Sequence, residues 1–288
     1  MSSAEVAAPS TAGAWLQLAR ISNTPTVVSN TVAGAVLAST VAEAGAVAVV
    51  AIAMALFYTA GMILNDVLDY EIDVRERPER PLPSGSVSRP AALTAVIALF
   101  AAGQALLLLE GTEPFLAGLG LAALIVLYDA WHKGNPLSPV LMGACRALVY
   151  FVAAFAVAGE VPVEVAAAAG VLLIYIVGLT QVAKAERGGV LGSWPVGAVF
   201  AGVAYWIGWI DSVWFALLLV AFAVWLWWAL GLVRTKGRIG QGVVSLIAGV
   251  SLFDALAVAS VEGSLAAVGV CLAAFLVTIA LQTKIAGT

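Results

Sequence analysis

The chain alternates between long apolar stretches and short breaks that carry Gly, Pro or charged residues. Ten such stretches stand out, over residues 14–40, 45–68, 90–109, 114–131, 136–158, 164–184, 194–210, 212–233, 242–260 and 264–284. Most approach the roughly 20 apolar residues that a helix needs to cross a bilayer. They are too long and too continuously apolar for barrel strands, which alternate. Inside lipid the backbone must satisfy its own polar groups, and that leaves helices. The pattern predicts an all-α integral membrane protein, a bundle of nine to ten transmembrane helices. Nine applies if the closely spaced stretches around Asp211 form one broken helix.

Composition strengthens this reading. Of 288 residues, 62% are hydrophobic and 10% charged, where a soluble domain carries roughly a quarter charged residues. No polar stretch is long enough for a second domain, so residues 14–288 are expected to form a single transmembrane domain. Residues 1–13 are small and polar, without the basic region and apolar core of a cleaved signal, and are expected to be a disordered cytoplasmic tail. Cys145 and Cys271 both lie inside apolar runs and read as packing residues, not as a disulfide framework. Membrane lipids are the expected surroundings, and nothing points to a nucleic-acid partner.

Charge orients the bundle. One set of stretch ends holds Arg20, then Arg75, Arg77, Arg80 and Arg89, then His132 and Lys133, then Lys184 and Arg187, then Arg234, Lys236 and Arg238, and finally Lys284. The other set holds Glu43, Glu110, Glu113, Glu160, Glu164, Asp211 and Glu262, with no Lys or Arg. Positive residues stay on the cytoplasmic side. The expectation is a protein of the cytoplasmic (inner) membrane with a cytoplasmic N-terminus and an even number of crossings.

Candidate chemistry concentrates at the inner end of the second stretch. Asn65, Asp66, Asp69 and Asp73 follow the apolar run directly, and their spacing of three and four residues places them on one helix face. Three stacked carboxylates repel one another and call for a cation. Hard oxygen ligands in this arrangement suit Mg²⁺, which shares its shell with phosphates. The plainer alternative is a solvated acidic helix end, but carboxylates at a membrane boundary are costly and usually functional. The polar stretch 69–90 reads as a cytoplasmic loop. It carries Arg75, Arg77, Arg80 and Arg89 and is stiffened by Pro78, Pro81 and Pro83. Arg77 and Arg80 are candidates for diphosphate oxygens, with binding of lipid headgroups as the alternative.

The segment Asn65-Asp66-x-x-Asp69-x-x-x-Asp73, followed by Arg80-Pro81-Leu82-Pro83-Ser84-Gly85, resembles the first signature of the UbiA-type intramembrane prenyltransferases. Arg20 to Asn23 is similar to that family's R-P-x-N, with Ile21 in place of proline, and Tyr128 with Lys133 resembles its Tyr–Lys element. The resemblance implies a bundle around a central cavity and Mg²⁺-dependent transfer of a prenyl group from a prenyl diphosphate to an acceptor, here unidentified, at a site facing the cytoplasm. It implies Asp66 and Asp69 as catalytic metal ligands, with Asn65 and Asp73 beside them. Asn23 would orient the cation or the acceptor, and Arg80, Tyr128, Lys133 and Lys184 would attend the diphosphate. The second signature departs from the family. Aligned on Ser193-Trp194-Pro195-Val196, Leu179 and Val182 stand where two aspartates are expected, and Glu186 alone retains a carboxylate for the metal. Lys184 would offer a fixed charge instead. In lacking this motif the sequence resembles the EboC branch found in Ebo-type gene clusters.

Two charges lie deep inside stretches, Arg146 in the fifth and Asp254 in the ninth. Such residues face the bundle interior. Arg146 is expected to reach the diphosphate or to pair with Asp254. His132, the single histidine, reads as an interfacial residue, and Trp225, Trp227 and Trp228 as packing or lipid-facing residues. The competing functional readings are a transporter or binder of a lipid-linked metabolite on the same scaffold, and a cyclase that acts on its prenyl substrate without an acceptor.

Overall fold

A computed structural model describes residues 11–184, 192–261 and 265–285. Each predicted stretch after the first holds one long helix. These are α3 (Ala44–Leu68), α5 (Arg89–Glu110), α6 (Thr112–Trp131), α7 (Ser138–Ala158), α8 (Val163–Lys184), α9 (Ser193–Ile207), α10 (Val213–Val233), α11 (Ile239–Ala259) and α12 (Leu265–Gln282). The first stretch is broken into α1 (Thr11–Leu18), a 3₁₀ turn (Ile21–Asn23) and α2 (Thr24–Ala38). Among the described residues, eight helices are long and apolar enough to cross a bilayer: α3, α5–α8 and α10–α12. The 15 residues of α2 and of α9 extend about 22 Å at 1.5 Å per residue, less than the hydrocarbon core of about 30 Å.

The structure departs from the sequence expectation at three places. Arg20 adopts left-handed angles, φ 45° and ψ 46°, and Pro25 stands in the first turn of α2, where its missing N–H costs nothing. One helix therefore ends before residue 20 and another begins after 23. Thr11–Gly13, expected in the tail, already belong to α1. The polar stretch 69–90, expected as loop, contains a two-turn helix, α4 (Tyr70–Glu76). The helices flanking Asp211 are separate, ending at Ile207 and restarting at Val213.

The bundle is organised around α2, which packs on α3, α7, α11 and α12. Small residues permit this approach. A Cβ added to Gly34 of α2 would fall 2.6 Å from the Cα of Tyr150 on α7, so the two backbones touch there. Almost every residue of α11 from Gly242 to Val258 is buried. A polar network pins the centre. Asp254 of α11 accepts from Tyr150 Oη at 2.5 Å, from Ser29 Oγ at 2.5 Å, and from Asn30 Nδ2 at 2.9 Å to each oxygen. Arg146 of α7 donates to Asn30 Oδ1 at 2.8 Å and to Thr26 Oγ1 at 3.0 Å. The two buried charges are thus coupled through the amide of Asn30 and not through a direct ion pair.

Candidate active site

The acidic residues sit where α3 ends. Asp69 interrupts the helix at φ −83° and ψ 0°, yet its carbonyl accepts from both Ile72 N and Asp73 N at 2.9 Å. The chain re-enters a helix at once, and Asp73 stays near the face that carries Asp66. Asp66, Asp69 and Asp73 are 6%, 9% and 5% exposed. Buried carboxylates need partners, and each has cations from other segments. Arg20 Nη2 lies 3.0 Å from Asp66 Oδ1. Arg80 Nη1 bridges Asp66 Oδ1 at 3.3 Å and Asp73 Oδ2 at 2.8 Å. Lys133 Nζ lies 2.9 Å from Asp69 Oδ1, and His132 Nε2 is 3.6 Å from Asp69 Oδ2.

Local folding explains how these cations arrive. The left-handed turn at Arg20, the single described non-glycine residue with positive φ, directs its guanidinium onto Asp66 and the Met62 sulfur at 3.4 Å. Strain of this kind gathers at functional sites. The loop carrying Arg80 is closed by Ser84 N→Arg80 O at 3.0 Å and Val87 N→Pro81 O at 3.0 Å. Buried Leu82 and Val87 anchor it, and Gly85 supplies the positive φ of 75° its turn requires. At Asp69 burial pushes the carboxyl up, but the hydrogen bonds of His132 and Lys133 outweigh it and hold it below its ordinary value. The same bond to Asp69 raises His132, against the opposing effect of burial.

Of the residues expected at the site, Asn65, Asp66, Asp69, Asp73, Arg80 and Lys133 are brought together. Asn65 turns its amide to Asp129, with Nδ2 3.1 Å from Oδ1. Arg77 makes no side-chain hydrogen bond or ion pair among the described residues. Lys184 donates to Ser138 Oγ at 3.1 Å, at the start of α7, and not to a carboxylate. Asn23 Oδ1 accepts from Gln282 Nε2 at 2.9 Å, at the end of α12. Arg146 donates to Thr26 and Asn30 and forms no ion pair with the acidic cluster among the described residues. Glu186 and Arg187 lie outside the described residues.

Sequence reasoning passed over three participants. Arg20 entered as an orienting charge and as part of a resemblance but not as a partner of the carboxylates, His132 was assigned to the interface, and Asp129 was not singled out. Their signal was local: Asp129, His132 and Lys133 fall three and four residues apart, on one side of the end of α6. Tyr128 stacks on His132, ring centroids 5.2 Å apart.

Between α2, α3, α6 and α7 lies a cavity of about 90 Å³. Its walls are mostly apolar, with Tyr58, Tyr128, Asp129 and Arg146 as polar exceptions. Met62 and Asp129 belong both to this cavity and to the surroundings of the acidic cluster.

The donor set fits Mg²⁺, since carboxylate oxygens are its preferred protein ligands. As they stand, no three acidic, imidazole or thiol groups among the described residues enclose a metal position, and the chain's own cations hold the carboxylate oxygens. Asp66, Asp69 and Asp73 are matched by Arg20, Arg80 and Lys133. Such a site is neutral by itself. A dication and a diphosphate would enter as complementary partners, one for the carboxylates and one for the cations.

A family profile described as the UbiA prenyltransferase family matches residues 27–240, about three quarters of the chain. Digeranylgeranylglyceryl phosphate synthase of Methanoregula boonei is 45% identical over 83 residues, 28% of this chain and 29% of that protein. The synthase of Methanopyrus kandleri is 31% identical over 137 residues, 46% of this chain and 50% of that one. The chain thus spans no more than about half the length of these curated relatives. Among solved structures, a UbiA homolog from Archaeoglobus fulgidus superposes with a TM-score of 0.61 at 14% identity, over 86% of this chain and 98% of that one. The same homolog bound to GPP and Mg²⁺ gives 0.53 at 15% identity, over 94% and 99%. These structural likenesses establish the fold.

Proposed function

The chain belongs to the UbiA prenyltransferase family, and from that premise we propose that it carries out Mg²⁺-dependent transfer of a prenyl group from a prenyl diphosphate to a small acceptor within the membrane. The observation that carries this reading is the set of three buried carboxylates, each matched by a cation from another segment, beside a membrane cavity. The relatives named as digeranylgeranylglyceryl phosphate synthases and the neighbour bound to GPP and Mg²⁺ support the same substrate class.

Asp66, Asp69 and Asp73 would hold the metal. The chemistry Mg²⁺ would supply there is Lewis-acid stabilisation of a departing diphosphate. Arg20, Arg80 and Lys133 turn from the carboxylates to the phosphate oxygens, so charge leaving the C–O bond meets cations already in place. Tyr128 and the apolar cavity walls keep water from the allylic carbon. Asn23, fixed by Gln282, orients the reacting group. Arg77 and Lys184 add positive charge at the rim. Leu179 and Val182 are buried apolar residues where the family's second set of carboxylates belongs, which supports placing the chain in an EboC-like branch that works with one acidic motif. Residues 14–288 act as one transmembrane unit of nine to ten crossings around the cavity, with the site and the N-terminus facing the cytoplasm.

The test is purified protein in lipid nanodiscs with radiolabelled prenyl diphosphates, with Mg²⁺ or with chelator. Mg²⁺-dependent diphosphate release is expected, abolished in D66A and D69A. Near-normal turnover in both variants refutes the site. Binding without release favours a carrier, and release with a free hydrocarbon favours a cyclase.

A further inference from the structure

A carboxylate oxygen buried in an apolar cavity has no water to replace a missing donor, so an unpartnered one calls for a ligand. Asp129 on α6 is 4% exposed. Its Oδ1 is held by Asn65 Nδ2 at 3.1 Å, while Oδ2 is buried without a hydrogen-bond partner. The side chain lines the cavity between α2, α3, α6 and α7. Tyr58 and Arg146 line the same cavity, with the guanidinium 5.7 Å from the Tyr58 ring centre. Arg146 is positioned from behind by Thr26 and Asn30, and Asn30 by Asp254. A hydrocarbon chain in this space would leave the free oxygen unsatisfied. A molecule carrying O–H or N–H satisfies it. Asn65, which fixes the other oxygen, adjoins Asp66 in the chain, so the Asp129 carboxylate stands beside the acidic cluster.

We propose that Asp129 is a catalytic residue on the acceptor side. Its Oδ2 receives the hydrogen bond of the nucleophilic O–H or N–H of an alcohol, phenol or amine seated in the cavity, and takes that proton as the new bond forms. The inference rests on the prenyl-transfer reading and adds the acceptor's class to it. In the step, the allylic C–O bond breaks and its electron pair leaves on the diphosphate. A lone pair of the acceptor oxygen or nitrogen forms the bond to the allylic carbon. The electron pair of the O–H or N–H bond stays on the acceptor, and the proton moves to Oδ2. No redox partner is required. Arg146 faces the polar remainder of the acceptor and positions it.

The test compares wild type, D129A and the closely isosteric D129N in nanodiscs with geranyl diphosphate and Mg²⁺. The nucleophile is a hydrophobic phenol, a primary alcohol, or azide, an anion with no proton to lose. Both variants are expected to alkylate phenol and alcohol about 100-fold more slowly or worse, the loss typical of removing a general base. Geranyl azide formation by the variants is expected to stay within about threefold of wild type, since azide needs no base. Undiminished phenol or alcohol transfer in the variants overturns the proposal. So does azide capture that falls in parallel with transfer, which marks a structural role. A wild type that releases no diphosphate refutes the prenyl-transfer reading itself. Release that alkylates neither protic probe refutes the acceptor class alone.

Discussion

Replacing Arg80 with Met removes one cation shared by two carboxylates and keeps much of the side-chain volume. Arg80 Nη1 lies 3.3 Å from Asp66 Oδ1 and 2.8 Å from Asp73 Oδ2, and the side chains of all three are largely buried. Opposite unit charges about 4 Å apart attract by ~4 kcal/mol at an effective dielectric near 20. A divalent ion must compete with Arg80 for the same oxygens. Side-chain relaxation and residual water return most of that energy, and about one third of it, ~1.4 kcal/mol, corresponds to tenfold in affinity. In the absence of diphosphate, R80M is therefore expected to bind Mn²⁺ roughly tenfold more tightly than wild type. With diphosphate the sign reverses. Hydrogen bonds to charged groups contribute about 1.5–3 kcal/mol, so affinity for the metal-diphosphate complex should fall roughly 10- to 150-fold. The assay is Mn²⁺ titration followed by electron paramagnetic resonance, with protein in nanodiscs, with and without a non-reactive thiolodiphosphate analogue. Weaker metal binding in the diphosphate-free variant would refute the competition. Unchanged affinity for the complex would refute a phosphate role for Arg80.

Three further outcomes follow from the same geometry. D254A leaves the donors of Ser29, Asn30 and Tyr150 without their acceptor; at about 1–3 kcal/mol for each buried group left unsatisfied it is expected to destabilise the folded protein by about 3 kcal/mol or more, and a detergent melting curve within a degree of wild type would contradict this. G34A places a methyl group 2.6 Å from the Tyr150 backbone, where neither helix has a flexible atom to move, and a loss of about 2 kcal/mol or more is expected, whereas wild-type yield and melting would show that α2 and α7 are not in contact. His132 is the single histidine, so one labelled-histidine NMR titration in metal-free buffer reports it. Its midpoint should lie above the ordinary value of about 6.5, because the bond to Asp69 outweighs burial. The attraction is fully present below the ordinary value and is lost as pH rises through the raised one. In D69N the midpoint should drop, and an unmoved midpoint would remove Asp69 as the cause.

What could be read directly from the chain was whatever depends on consecutive residues. Apolar runs such as 45–68 and 212–233 have one backbone solution in lipid, and α3 and α10 follow them closely. The three-and-four spacing of Asp66, Asp69 and Asp73 put them on one side of the chain, and a brief interruption at Asp69 did not undo it. Hydropathy failed at the first stretch, because it does not register the left-handed turn at Arg20 or the constraint of Pro25. It likewise counted the polar run 69–90 as loop, although seven of its residues have local hydrogen bonds enough for a helix.

What only the tertiary structure decided was which charges meet. Arg20 reaches Asp66 across 46 residues, and Asn65 reaches Asp129 across 64. No pattern within one helix specifies such a pairing. Arg146 and Asp254 were both legible as buried charges, yet Asn30, a residue without charge of its own, couples them. The free oxygen of Asp129 had no sequence signature at all, since a carboxylate at the end of an apolar stretch reads as a solvated one. Periodicity reports the face a residue shares with its neighbours in the chain. The partner across that face is set by helix packing, here by close approaches such as Gly34 on Tyr150, and those contacts made the acidic stripe into a charge-matched site beside a cavity.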